Sequence, residues 1–298
     1  MEQDLAETLV EIDNVREKMA RPVSAVVKTM NLVVACAHQS VMIENNTLPA
    51  SNSLDMYDEL TSGLFSHIDL RSLSIQELAK VPLLRLESFL PDKDETDSME
   101  LRNHIVACQW IADTAASRAQ TFEAGFTEDQ VRALSMLAMT SLDSRGLYPW
   151  AIGPRVRLGQ YRQVPIGVKS NPMAVFPYHL EVPACMQRFF EWRARAYGEK
   201  KLHPLIQACH AMVYFLQIHP FVDGNGRVSR MIMQDDLMRQ GYFPGYLFNL
   251  DRVEYLTMIR NAADGNPSLL ANRVVTAQLE FMLSNMLEEA AEAAQNRK

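Results

Sequence analysis

The sequence predicts a predominantly α-helical protein carrying one small β-hairpin. Three observations support this. Apolar residues recur at helical spacing through most of the 298 residues. Capping residues stand where several of those stripes begin. Residues 48–98 are the least regular part, and residues 145–182 change character, with Gly, Pro and β-branched residues in place of the stripes.

In chain order, Leu5, Leu9, Ile12, Val15 and Met19 share one helical face over residues 3–20. Residues 23–37 form a more apolar run (Val26, Val27, Met30, Val33, Val34), with Pro22 and Ser24 at its start, where helices tolerate them. If the chain stays helical beyond it, Ser40 and Glu44 lie one turn apart on the same face, and Asn45-Asn46 end the turn. Residues 49–53, Pro-Ala-Ser-Asn-Ser, read as a loop, and Ser74-x-x-Glu77 as the capping box of a short helix. Residues 91–97 read as a polar, turn-rich connection. From Met99 a stripe returns in Leu101, Ile105, Cys108, Ile111 and Ala112, and Thr127-x-x-Gln130 caps a helix bearing Val131, Leu134, Leu137 and Ala138. Two short extended segments, near 163–168 and 174–178, are joined through Ser170-Asn171-Pro172. Pro183 opens a helix with Met186, Phe189, Phe190 and Trp192 that ends at Gly198. Residues 203–217 and the stretch from Val228 to Gly241 are two further helices, separated by Pro220 and the Gly224-Asn225-Gly226 turn. A last apolar-striped helix spans 268–287. The organisation expected is an N-terminal helical segment (1–97), a core (98–287) and a frayed polar tail (288–298).

A formal charge of −7 argues against a nucleic-acid binder that works by broad electrostatics. Cys36, Cys108, Cys185 and Cys209 are scattered, which suits reduced thiols in a cytoplasmic protein better than a disulfide frame or a zinc site. The acidic start and the lack of a long apolar run predict neither signal peptide nor membrane segment.

The chemistry concentrates between the two helices at 203–217 and 228–241. A glycine-bracketed turn opening a helix aims free N–H groups and the positive end of the dipole at one spot, which makes an anion site. Gly224 and Gly226 let the backbone approach a phosphate closely. Arg227 and Arg230 can fork onto phosphate oxygens. Asp223 is a lone hard carboxylate, suited to a Mg²⁺ shared with phosphates. His219 titrates near neutrality and can take a proton from an attacking hydroxyl. A metal hydrolase built on His210, His219 and Asp223 has no ligand spacing to motivate it.

The run from His219 through Pro-Phe-Val-Asp-Gly-Asn-Gly-Arg-Val-Ser to Arg230 resembles the signature H-x-F-x-[DE]-G-N-G-R-x-x-R of the Fic family, matching its eight constrained positions without gaps. The resemblance implies a helical Fic fold and transfer of AMP from ATP, with Mg²⁺, to a Ser, Thr or Tyr hydroxyl of a target protein. His219 would be the general base and Asp223 the metal ligand. Gly224, Asn225 and Gly226 would cradle phosphates, Arg227 and Arg230 would bind the β- and γ-phosphates, and Phe221 would anchor the loop. The segment at 163–178 would be the flap that registers the target. Asn103-His104 resembles the Asn-His at the start of the family's core, with His104 structural. Ser40-x-x-x-Glu44-Asn45 resembles the family's inhibitory pattern [ST]-x-x-x-E-[GN], which implies an inhibitory helix at about 38–46 whose Glu44 pairs with Arg230. The same groups would serve the reverse reaction, removal of AMP with Glu44 positioning water. Relatives also use other donors, and Ala263 stands where some carry an adenine-contacting asparagine, which leaves the base open. A homodimer is implied by the subgroup. The non-enzymatic alternative is a helical nucleotide-binding interaction module.

Overall fold

The glycine-rich turn and its two flanking helices lie at the middle of the structure, a computed structural model that describes residues 2–19, 31–83, 93–121, 124–140, 156–168, 174–247 and 250–295. Among the described residues the architecture is all-helical. The helices are α1 (Glu2–Lys18), α2 (Leu32–Ile43), α3 (Ala50–Leu60), α4 (Ile75–Leu78), α5 (Glu95–Arg118), α6 (Glu128–Ala138), α7 (Val182–Glu199), α8 (Pro204–Ile218), α9 (Asn225–Arg239), α10 (Arg252–Ala263) and α11 (Ser268–Gln295). One apolar cluster runs from Ile12 on α1 to Met282 on α11. Helix α9 packs against α8, α5, α6 and α2, and α1 lies along α11. The 97/98 division falls inside α5.

The expected caps are present. Ser74 and Glu77 form a reciprocal capping box, as do Thr127 and Gln130, and Gly241 ends the motif helix at φ +79°. Helix α2 stops where the asparagines predict. Asn45 turns left-handed at φ +72° and donates to the Met42 carbonyl, while the Asn46 N–H returns to Val41, a Schellman ending with asparagine in place of glycine. Helix α9 is buried almost throughout despite its polar sequence. On its far half Asp236 pairs with Arg193 at 2.6 Å and Asp235 with Arg239 at 3.2 Å, so its charges enter the core with partners.

Several expectations need correction. Residues 50–53, expected as loop, are the start of helix α3: Ser53, Met56 and Leu60 line its buried side at helical spacing, and that packing overrides the weak propensity of Ser and Asn. Helix α5 begins at Glu95, inside the expected connection, because the Asp94 side chain caps it and Glu95 and Asp97 complement its dipole. Helix α7 runs past Gly198 to Glu199, with Lys200 left-handed as its cap. Helix α11 continues to Gln295 through most of the expected frayed tail, whose Ala and Glu residues are strong helix formers. The hairpin is not shown: among the described residues of 163–168 and 174–178 there is no strand, Val168 alone makes a β-bridge, and the Ser170-Asn171-Pro172 turn lies outside them. Val26, Val27 and Met30, with Pro22 and Ser24, also lie outside the described residues. No helix among the described residues is long and apolar enough to cross a membrane. Cys36, Cys108 and Cys209 are buried free thiols, and burial pushes the last two up to about 12.

Candidate active site

Helix α8 ends at His219, which adopts the left-handed conformation (φ 51°, ψ 59°) that bulky residues rarely take. Its N–H still donates to Phe215, 3.1 Å away, so the chain turns sharply without losing the last helical bond. The ring Nδ1 lies 3.3 Å from the Leu216 carbonyl. A carbonyl only accepts, so Nδ1 carries the proton and Nε2 keeps a free lone pair. Phe176 packs on the ring at 4.5 Å between centroids. Burial pushes the His219 pKa down to about 4, with Arg162 acting in the same direction and the Leu216 bond, Glu44 and Asp223 opposing it. The imidazole is therefore neutral at pH 7, as a proton acceptor must be.

The loop that follows is closed by its own side chains. Asn225 accepts from the Phe221 N–H at 2.9 Å and donates to the Phe221 carbonyl at 2.8 Å. Phe221 is buried between Tyr161 and Phe215, its ring centroid 5.6 Å and 6.2 Å from theirs. The Asn225 side chain is thus committed to the loop itself, and what the turn can offer an anion is backbone. The first bond within α9 is from the Val228 N–H to Gly224, so the amides before it lie in the unsatisfied first turn of a helix. Gly224 holds φ +75° there, and any side chain on Gly226 would strike the Glu44 carboxylate and the Arg230 guanidinium.

Arg230 brings the N-terminal segment to this turn. Its Nη2 donates to Glu44 Oε1 at 2.7 Å and to the Ser40 carbonyl at 2.8 Å, its Nε to Ser40 Oγ at 2.7 Å, and its Nη1 to Tyr255 Oη at 3.3 Å. The other Glu44 oxygen lies 3.8 Å from Arg252 Nη1. Burial by itself would raise the Glu44 pKa, but Arg230, through charge and hydrogen bond, then Arg227 and Arg252, outweigh it and hold the carboxylate below the ordinary value. Glu44 is ionised at neutral pH. Asn45 does not reach this contact and serves as the helix ending.

Arg227 points elsewhere. Its Nη1 lies 3.1 Å from Glu100 and donates to the Ala138 carbonyl at 3.2 Å, and the guanidinium does not face the cavity. Glu100 also accepts from Asn46, whose side chain donates to the Asp97 carbonyl as well. Asp97 in turn accepts from the Thr47 N–H at 2.8 Å. The end of α2 is thereby fastened to the first turns of α5, and through Glu100 to Arg227. The half-exposed Asp223 carboxylate sits at the cavity, where it accepts from the Gly224 N–H. Among the described residues no three His, Cys, Asp or Glu gather as a metal cage. One carboxylate fits an ion held mainly by phosphate and water.

His219, Asp223, Gly224, Asn225, Gly226, Arg230 and Glu44 line one cavity of about 650 Å³. Val213, Leu216, Leu256 and Ile259 contribute apolar lining, Ala263, Asp264 and residues 166–168 and 174–176 line it as well, and the 93% exposed Val175 marks the last of these as its rim. That combination suits a flat apolar ring bearing a polyanionic tail. His104 is fully buried on α5 with neither nitrogen hydrogen-bonded to a described residue, and it lies outside the cavity wall.

One contributor is not legible in the sequence. Arg162 is 2% exposed. It donates to the carbonyls of His219 (2.8 Å), Val164 (3.2 Å) and Pro177 (2.6 Å), and its own N–H reaches Pro220 at 2.8 Å. One guanidinium therefore ties both sides of the rim segment to the residue that carries the imidazole. Arg162→Ala is expected to lower the unfolding free energy by about 2–3 kcal/mol, since several buried carbonyls lose a charged donor. Arg162→Lys should recover only part, because one ammonium cannot span carbonyls on three segments. Urea titration of the three proteins checks this, and equal midpoints would contradict the clamp.

The family model described as Fic/DOC family matches residues 125–235, from just before α6 to within α9. The chain is similar to curated proteins named protein adenylyltransferase Fic. That of Drosophila willistoni is 38% identical over 108 residues, 36% of this chain and 21% of the relative. That of Drosophila virilis is 41% identical over 108 residues, again 36% and 21%. The match thus spans about a fifth of those relatives' length. Among solved structures, Fic-1 (residues 134–508) from C. elegans superposes with a TM-score of 0.69 at 17% identity, covering 98% of this chain and 74% of that one. A Fic domain containing signaling protein from Bacteroides thetaiotaomicron gives 0.60 at 19% identity, covering 93% and 91%. At these identities the likeness is one of fold.

Proposed function

Residues 125–235 form a Fic/DOC-family domain, and from that premise we propose that the chain is a protein adenylyltransferase restrained by its own α2. The observation that carries this reading is the 2.7 Å pair between Glu44 and Arg230 inside the cavity that His219 also lines. An inhibitory carboxylate on that arginine makes sense only if the arginine has an anionic substrate to hold.

The chemistry follows from the groups in place. ATP would lay its adenine against Val213, Leu216, Leu256 and Ile259, with its phosphates over the first turn of α9. Asp223 would hold the Mg²⁺ that neutralises phosphate charge. A target hydroxyl presented at the rim gives its proton to His219 Nε2 as its oxygen attacks the α-phosphorus. The bond to the β-phosphate breaks, and pyrophosphate leaves with its charge against Arg230. The free amides before Val228 are positioned to stabilise the transferring phosphoryl oxygens without reorganisation. Residues 174–176 offer backbone to an extended target segment, and Val175 is 93% exposed beside it. With Glu44 in place, Arg230 is spoken for and the phosphates cannot settle.

A second reading, removal of AMP from a modified target, is favoured by one feature: Glu44 is an ionised carboxylate in the same cavity as the imidazole, able to orient water. The first experiment uses the Glu44→Gly protein with Mg²⁺, candidate targets and ATP labelled at either end. Label at the α-phosphorus is expected to become covalently bound, and label at the γ-phosphorus is not. Transfer of the γ-label instead would replace adenylylation by phosphorylation. α-Labelled UTP in a parallel reaction reads the base preference that Ala263 leaves open. Release of AMP from modified target by the unaltered chain, lost in Glu44→Gln, would establish the reverse reaction.

A further inference from the structure

We propose that Arg252 is a second anion-binding residue of the cavity, which holds the terminal phosphates of the nucleotide opposite Arg230 once Glu44 withdraws. The inference rests on the nucleotide reading above and adds a residue to it. Glu44 presents one oxygen to Arg230 at 2.7 Å and the other to Arg252 at 3.8 Å, so the inhibitory carboxylate sits between two guanidinium groups. Arg252 lines the same cavity with its side chain 31% exposed, and the Nη1 atom itself is buried without a hydrogen-bond partner among the described residues. A buried, charged N–H left without an acceptor is costly, and the distance to Glu44 is too long for a hydrogen bond to meet that need.

The residue's place in its helix points the same way. Arg252 is the first residue of α10, directly after the cap Asp251. A cation at a helix N-terminus works against the macrodipole, so helix stability does not account for an arginine there. Nor can the other motif arginine take its part, because Arg227 is committed to Glu100 and Ala138. Withdrawal of Glu44 leaves Arg230 and Arg252 facing one space with like charge, and an anion with several oxygens relieves the repulsion. A triphosphate does so; AMP, whose one phosphate belongs over the α9 turn, does not reach both.

Calorimetric titration tests this with two proteins, Glu44→Gly and Glu44→Gly/Arg252→Ala, and three probes: ATP, AMP and inorganic tripolyphosphate. The expected result is that loss of Arg252 weakens ATP and tripolyphosphate about tenfold or more and leaves AMP unchanged. Arg252→Lys in the same background should restore most of the difference, because the charge is kept. Unchanged ATP affinity, or equal losses for ATP and AMP, overturns the proposal, the second by marking Arg252 as a support of the pocket. If the Glu44→Gly protein binds tripolyphosphate through Arg252 but not ATP, the anion seat stands and the nucleotide reading falls. If it binds neither while its helical circular dichroism is intact, both fall.

Discussion

Replacing Glu44 with glycine is expected to raise AMP incorporation by roughly tenfold to a thousandfold, the range that a few kcal/mol of competition for one site produces. On the proposed reading the carboxylate would have to be displaced before triphosphate could bind Arg230. It is held there by a 2.7 Å charged hydrogen bond, by Arg252, and by a helix end fastened to α5 through Asn46 and Thr47. Glu44→Gln keeps the shape and loses the charge, so its rate should fall between the two. Mild acid should not mimic the substitution. The Glu44 pKa in the folded chain lies below its ordinary value, so the pair's contribution is complete above that ordinary value, near pH 4.5. It is lost only as the pH falls further, through the lowered folded-state value. Between pH 6 and 8 the unaltered chain therefore stays restrained. Incorporation of α-labelled AMP over time, compared across the three proteins, decides the matter, and equal rates with and without the Glu44 carboxylate would remove the inhibitory assignment.

The part of this site legible in the sequence is the part written in adjacent residues. The turn, its glycines, the bracketing helices and the ending of α2 at Asn45 all follow from local rules, and the structure has them where those rules put them. Directions of side chains do not follow. The spacing of Arg227 and Arg230 permits both to face an anion, but three residues on a helix is also enough to turn one of them onto Glu100, and the long-range carboxylate decides. Arg162 was silent because its partners are backbone carbonyls, which every residue has, lying up to 57 positions away. The start of α3 is hidden for the opposite reason: Ser51, Asn52 and Ser53 are locally loop-like, and only packing of Met56 and Leu60 into the core makes the segment helical. Nothing local marks Arg252 either, because the contact that singles it out is with Glu44, more than 200 residues before it.

On the proposed reading, His219→Ala is expected to lower transfer by about 10²- to 10⁴-fold, the usual contribution of a positioned base, while ATP binding to the Glu44→Gly background should persist, since the first turn of α9 and Arg230, not the imidazole, would hold the phosphates. The neutral ring is set by burial, and its pKa of about 4 has a consequence opposite to that of an ordinary histidine. An exposed imidazole would lose its basic form near pH 6.5. Here the basic form persists through that range and is lost only as the pH approaches about 4. The pH profile of the Glu44→Gly protein should therefore stay level from pH 8 to about 5.5 rather than halve near 6.5. A profile with its midpoint at 6.5 would show that the imidazole is exposed in the working complex, and that the Phe176 and Leu216 contacts described for it do not survive substrate binding.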